Sequence, residues 1–313
     1  MKQIATNNDI NINIKRNNGI ERTTVGDKVF YAVTYTVLIL ILLIVLYPLI
    51  YIVSASFSSP AAVSSGKVWL FPVEFGLEGY KAVFKYDEVF VGYRNTIFYT
   101  VVGTAINVGM TLITAYPLSR KGLPGKGLFT FLFTFTMLFS GGMIPHYLLM
   151  RDLHLLNTVW VMVLPGAIGV TNLIITRTFM QTSIPGDLLE AAQMDGCSDF
   201  RYFFTIVLPL SKANIAVITL YYAVGHWNAF FNAFLYLNNK QLFPLQVFLR
   251  EILVMSSVDA ATVSDPATLA AIQGLSDLLK YSLIVVATVP ILCIYPFIQR
   301  YFVKGVMIGS LKG

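Results

Sequence analysis

Charge is scarce in this chain. Asp, Glu, Lys and Arg make up 12% of its 313 residues, about half the share carried by soluble domains, and this excludes an ordinary soluble globule. Long stretches lack all four types: 29–66, 95–119, 127–150, 153–176, 213–239 and 281–299. A helix needs about 20 apolar residues to cross a hydrocarbon core of about 30 Å. The windows therefore predict six spans and an all-α, polytopic membrane protein.

Cysteine is rarer still, with only Cys197 and Cys293, too few and too far apart for a disulfide framework or a metal cluster. Ionisable groups are nearly missing from the apolar windows. His226 is the only one well inside an expected span, and Arg177 lies near a span end. Proton and ion pathways are marked by such groups, so their scarcity argues against a secondary carrier and for an energy source outside the bilayer. Catalytic signatures are also missing: there is no Walker-type phosphate loop, no GxSxG elbow and no HExxH pair. Asp195 and Asp199 could be read as a carboxylate pair, but they lie on an expected cytoplasmic surface. A docking or structural role is expected for that pair, and no enzymatic activity for the chain.

The charges that are present fall unevenly. With the N-terminus inside, fourteen of the 22 basic residues lie in segments facing the cytoplasm, the linker Ser119–Lys126 being the cleanest marker. Both termini are expected in the cytoplasm, and anionic inner-leaflet lipid suffices as partner for the formal charge of +6. Residues 1–28 are polar and Asn-rich, with no cleavage site after a short apolar core, so the first apolar run is expected to be an uncleaved anchor. The expected spans are 30–54 (kinked at Pro48), 96–118, 128–149, 158–179, 215–235 and 281–301. Gly141, Gly142 and Pro145 make the end of the third irregular. They form a transmembrane domain over 29–302, with a loop at 183–212, an external segment at 236–280 lacking an obvious fold, and a tail at 303–313.

The loop is the most informative segment. Its core, DLLEAAQMDGCSDFRYFFTIVLPLSK, sets Asp187, Glu190, Asp195 and Asp199 between two apolar runs. Ser183 is the expected N-cap of a first helix, with Pro185 and Asp187 in its first turn and Leu188, Leu189 and Ala192 on one apolar face. Gly196 breaks that helix, and Ser198 caps a second one carrying Phe200, Phe203, Phe204 and Val207. Helices lying on anionic headgroups would not favour four acids. The pattern points to a site gripped by a soluble partner.

The spacing of Glu190-Ala191-Ala192, Asp195-Gly196, Phe203, Ile206 and Leu208-Pro209 resembles the cytoplasmic coupling loop of binding-protein-dependent ABC import permeases. Two positions depart from that pattern: Cys197, where the family usually has Ala, and Ala213, where it often has a second Pro. The segment PHYLLMRDLHLLNT, the run Gly225-His226-Trp227-Asn228 and the ending YFVKGVMIGSLKG are similar to the maltose-type carbohydrate permeases, within them to the complex-oligosaccharide subgroup.

The resemblance implies a six-span subunit of the bacterial plasma membrane. It would be paired with a second homologous permease, two ATPase subunits that bind ATP and Mg, and an extracellular sugar-binding protein, with no cofactor on this chain. It would import carbohydrate by alternating access. The resemblance also implies that Glu190, Ala191, Ala192, Asp195, Gly196, Phe203, Leu208 and Pro209 form the ATPase-coupling site. The tail residues Gly309, Ser310, Lys312 and Gly313 would reach the ATPase interface, against the alternative of a frayed terminus. Val258, Asp259, Thr262 and Asp265 would meet the sugar-binding protein, against the alternative of a lid over the outer mouth. Tyr221, Tyr222, His226, Trp227, Asn228 and Asn232 in the fifth span suit a sugar path, since aromatic faces pack on pyranose rings and amides bind hydroxyls. The same residue types also join membrane helices and anchor them at the interface. An ABC permease for a non-sugar solute, or a secondary carrier, is the alternative.

Overall fold

A computed structural model describes residues 24–262, 274, 276–293 and 296, and all regular structure among them is helical. The chain divides into two compact units, Met1–Leu49 and Ile50–Gly313. Helix α1 (Val25–Ser56) begins in the first. Its first turn is closed reciprocally: the Asp27 amide donates to Thr24 Oγ1 at 3.2 Å and the Thr24 amide to the Asp27 carboxylate at 2.8 Å. From Val29 onward it is apolar on every face, the composition of a membrane-embedded helix.

The second unit holds α2 (Pro60–Ser64), α3 (Glu78–Val83), α4 (Asp87–Ser119), α5 (Lys126–Leu138), α6 (Met143–Asp152), α7 (Val170–Ser183), α8 (Gly186–Met194), α9 (Asp199–Tyr202), α10 (Leu208–Leu210), α11 (Lys212–Trp227), α12 (Phe231–Tyr236), α13 (Leu245–Thr262) and α14 (Ser276–Cys293). Short 3-10 turns lie at Val159–Met162 and Lys240–Leu242. Helices α1, α4 and α14 are each long and apolar enough to cross a membrane. The pairs α5/α6 and α9–α10/α11 qualify together, bent by 114° and 80°. By length and composition the described residues therefore contain three to five candidate spans.

Helix α4 is the axis of the second unit. Its 33 residues, at 1.5 Å each, extend about 50 Å, and α7, α11 and α13 all pack on it. Three apolar clusters follow one another along it. Val89, at its start, joins Val83, Leu245, Leu283 and Val286. Tyr99 joins Met150, Val161, Tyr236 and Phe248. Leu112, Ala115 and Leu118, towards its end, join Leu173, Met180 and the 183–212 segment.

A stripe of polar and small residues at every fourth position, Asn95, Tyr99, Gly103, Asn107 and Thr111, is buried down one face of α4. Asn95 Nδ2 donates to the carbonyls of Gln241 and Phe243 at 2.8 and 2.9 Å, and the Tyr99 hydroxyl to that of Leu242 at 2.8 Å. Thr96 Oγ1 accepts from the Leu245 amide at 2.8 Å. The last bond serves an amide that helical geometry leaves free at the start of α13, and the others serve carbonyls of the 3-10 turn and loop that lead into it. Lower down, Asn107 Nδ2 donates to the Gly166 carbonyl, and the Tyr222 hydroxyl accepts from the Gly169 amide at 3.0 Å while bonding Thr111 Oγ1 at 2.7 Å.

Two segments differ from expectation. No continuous helix covers 158–179; a 3-10 turn, an irregular stretch and α7 occupy it. Pro165, Gly166 and Gly169 interrupt the helix there, and Asn107 of α4 and Tyr222 of α11 supply backbone partners at Gly166 and Gly169. The 236–280 segment is not without a fold: α13 fills much of it and packs on α4. The break expected near Gly141 and Gly142 is present as the bend between α5 and α6.

The α4–α13 contact depends on Gly92. A Cβ there would lie 2.9 Å from both Leu245 Cα and Phe248 Cδ2. Gly92→Val is expected to cost about 1–3 kcal/mol through overpacking, read as a lowered unfolding temperature of the purified permease, whereas Gly109→Ala, in open space, is expected to leave it unchanged.

Candidate functional site: the 183–212 hairpin

The loop between α7 and α11 is an ordered hairpin of short helices. Ser183 ends α7 instead of capping α8; the cap position is Pro185. A residue preceding proline is driven out of the helical region, so Ile184 is extended (φ −111°, ψ 105°) and the break falls there. Asp187 lies in the first turn of α8, where a carboxylate favours the positive helix end.

Glycine closes α8. Gly196 has φ +72°, a conformation costly to residues with a Cβ. The Cys197 amide donates to Ala192 O at 2.9 Å and the Gly196 amide to Gln193 O at 3.0 Å, the paired bonds of a Schellman turn. Ser198 then caps α9, its Oγ accepting from the Arg201 amide at 3.4 Å.

Past α9 the chain makes a π turn over Phe203–Val207, closed by the Leu208 amide donating to Phe203 O. Pro209 follows, and it has no amide to give and a ring that crowds the carbonyl four residues back. A widened turn relieves that crowding.

The hairpin is keyed into the bundle by one side. Ile184, Ala192, Tyr202, Phe203 and Val207 are buried among Leu112, Ala115 and Leu118 of α4 and Leu173 and Met180 of α7, with Leu189, Cys197, Ile206 and Leu208 packed at the edges. Arg120, just beyond α4, fastens this contact. Its guanidinium lies over the Tyr116 ring at 4.6 Å and the Tyr202 ring at 4.9 Å, and Phe203 packs on Tyr116 with ring centroids 5.0 Å apart. Arg177 Nε and Gln181 Nε2 on α7 donate to the carbonyls of Leu118 and Ser119, satisfying the end of α4.

The opposite side of the hairpin is free in this chain. Asp187, Glu190, Ala191, Asp195, Gly196 and Pro209 are exposed. So are Met194 at 89%, Phe200 at 80% and Phe204 at 60%. Carboxylates set among protruding Met and Phe side chains suit a cleft that is both basic and apolar.

The other sequence-derived residues separate into groups. Tyr222, His226 and Trp227 spend their polar atoms inside the bundle: Tyr222 on Thr111 and Gly169, His226 Nε2 on Asn107 Oδ1 at 2.6 Å, and Trp227 Nε1 on Ala287 O at 3.0 Å. Tyr221, Asn228 and Asn232 are exposed, although Asn228 Nδ2 also donates to Val224 O at 3.0 Å. Val258, Asp259 and Thr262 belong to the last turns of α13, whereas Asp265 and the tail residues Gly309, Ser310, Lys312 and Gly313 lie outside the described residues. Sequence reasoning missed the Arg120–Tyr116–Tyr202 cluster and the α4 stripe. The stripe had a signal, its spacing of four; the cluster had only the spacing of Tyr116 and Arg120, because Tyr202 is far along the chain.

The chain is similar to known proteins over most of its length. It is 42% identical to the polygalacturonan/rhamnogalacturonan transport system permease protein YtcP of Bacillus subtilis, over 92% of this chain and 99% of that one. It is 43% identical to the protein LplC of the same organism, over 86% and 90%. Among solved structures, a chain of a bacterial ABC transporter involved in the import of the acidic polysaccharide alginate matches with a TM-score of 0.80 and 34% identity, covering 89% of this chain and 98% of that one. Residues 89–308 match the family described as the inner membrane component of binding-protein-dependent transport systems. With its keyed hairpin and its helical, apolar bundle, this chain belongs to that family.

Proposed function

We propose that the chain is one half of the transmembrane pore of an ATP-driven importer for oligosaccharides, those carrying uronic acids in particular. The observation that carries this reading is the 183–212 hairpin: one side buried among the ends of α4 and α7, the other presenting Asp187, Glu190, Met194 and Phe200 to a partner. The relatives support the substrate class, since two of them serve a polygalacturonan/rhamnogalacturonan system and the import of alginate.

In this reading six spans cross the membrane, the fourth being the interrupted 159–183 stretch, and both termini face the cytoplasm. A second permease completes the pore, two ATPase subunits seat the coupling hairpins, and an extracellular binding protein delivers the sugar to the 236–280 side. ATP-driven closure of the ATPases draws the hairpins together. Arg120, held between Tyr116 and Tyr202, carries that displacement into α4. Exposed Tyr221, Asn228 and Asn232 are the span-five residues left to meet the passing sugar.

Proteoliposomes holding the whole importer are expected to accumulate labelled oligogalacturonide only with ATP inside and binding protein outside, and a protonophore is expected to change nothing. Uptake driven by an ion gradient without ATP would overturn the reading. Gly196→Asp and Glu190→Lys are expected to leave the permease in the membrane and abolish both uptake and ATPase co-purification. Asp at the left-handed position costs about 1–2 kcal/mol and adds a charge at the tip. Normal values of both in Gly196→Asp would remove the hairpin from the coupling site. Arg120→Gln is expected to keep the ATPases bound while lowering receptor-stimulated hydrolysis about tenfold, in line with the 1–2 kcal/mol of a partly desolvated cation–π pair. Undiminished stimulation would show that the displacement travels elsewhere.

A further inference from the structure

Helix α13, which packs on α4, borders two adjoining clefts that the coupling reading does not use. One, of about 310 Å³, is lined by Phe230, Gln246, Leu249, Arg250, Lys280, Leu283 and Ile284. It holds two cations and an amide, and no carboxylate. The second, of about 620 Å³, shares Phe230 and Arg250 and adds Phe234, Lys240 and Glu251. Its single carboxylate lies 3.7 Å from Lys240 Nζ. Neither Arg250 nor Lys280 has a carboxylate partner among the described residues. Asp277, one turn before Lys280, lines neither cleft.

Arg250 is held in place by rings. Its guanidinium sits 5.0 Å from the Phe230 centroid and 4.6 Å from that of Phe234, and the two rings stack at 5.7 Å. A guanidinium that lies over aromatic rings still has N–H donors to offer, in the fork geometry that grips a carboxylate with two parallel bonds. Lys280 adds a point charge across the cleft, Gln246 offers a donor and an acceptor for hydroxyls, and the exposed Phe234 ring offers an apolar face to a pyranose.

We propose that Arg250, Lys280, Gln246 and the Phe230–Phe234 pair form a uronate-recognition site on this subunit, which binds the carboxylate of an acidic saccharide as it leaves the binding protein. The proposal rests on the oligosaccharide-import reading above and gives that reading a charge selectivity lodged in the permease itself.

The test uses the complete importer in phosphatidylcholine vesicles, with trigalacturonate and its fully methyl-esterified counterpart as probes. Both probes pass through the same binding protein, so its own preference cancels when the acid-to-ester uptake ratio of a variant is divided by that of the wild type. In Arg250→Gln this ratio is expected to fall about tenfold to a hundredfold, the worth of a charge-assisted hydrogen bond. Lys280→Gln is expected to fall less and Arg250→Lys to recover part of the loss. Retained ATPase co-purification establishes assembly. An unchanged ratio in both Arg250→Gln and Lys280→Gln overturns the site alone. Parallel loss of acid and ester uptake, restored by adding phosphatidylglycerol, identifies a lipid-headgroup anchor and also overturns it. Wild-type vesicles that import neither saccharide overturn the import reading, and the site falls with it.

Discussion

Every backbone amide and carbonyl placed in hydrocarbon must find a partner inside the protein, and in this chain α4 is where the irregular segments find theirs. The 163–169 stretch and the segment leading into α13 both leave helical geometry, and both lean on polar side chains of α4, joined at Gly169 by Tyr222 of α11. Asn107 serves Gly166, Tyr222 (set by Thr111) serves Gly169, and Asn95, Thr96 and Tyr99 serve 241–245. Without that stripe the interrupted helices would carry unpaired groups, each costing several kcal/mol in lipid. The same stripe accounts for the close approach of α11. Gly103 leaves room for the His226 imidazole, whose Nε2 would lie 2.4 Å from an added Cβ.

The two ends of α4 are built differently. One end is apolar and aromatic, with Leu112, Ala115, Leu118 and Tyr116 clasping a hairpin whose shape is set by a proline, a left-handed glycine and a serine cap. That end receives a rigid object and holds it by packing. The other packs against α13, whose exposed Arg250 lies over stacked phenylalanines. One continuous helix joins them, so a change at the clasped end reaches the cationic end without crossing a loop.

Much of this was legible in the sequence, in proportion to how local the cause was. Gly196, Ser198 and the break near Gly141 and Gly142 follow from single-residue backbone preferences, and each shows its expected consequence. Ser183 was read as a cap because serine caps helices well, yet the stronger restriction imposed by Pro185 on Ile184 moved the break two residues on. The apolar window at 153–176 has the composition of a continuous span. Composition does not reveal that Pro165, Gly166 and Gly169 are tolerated because Asn107, Thr111 and Tyr222 stand opposite. Helix α13 was missed because a mixed segment with Pro244 and Pro266 on either side reads as a loop until the residues of α4 that fix its first turn are known. Arg120 was counted only for its charge, since Tyr202 lies far along the chain.

The elbow at Ser211 has a mechanical consequence. The α9–α10 segment and α11 meet at 80°, close to a right angle, so a push along the first axis arrives at the second almost wholly as a sideways thrust. The π turn immediately before the elbow has wider, weaker hydrogen-bond geometry than the helices around it, which makes it the soft point of the arm. Under the coupling proposed above, the segment has the shape of a bell crank with a compliant link. Such a drive would tilt α11 about its far end, where Trp227 is pinned to Ala287, and would not move it up and down like a piston.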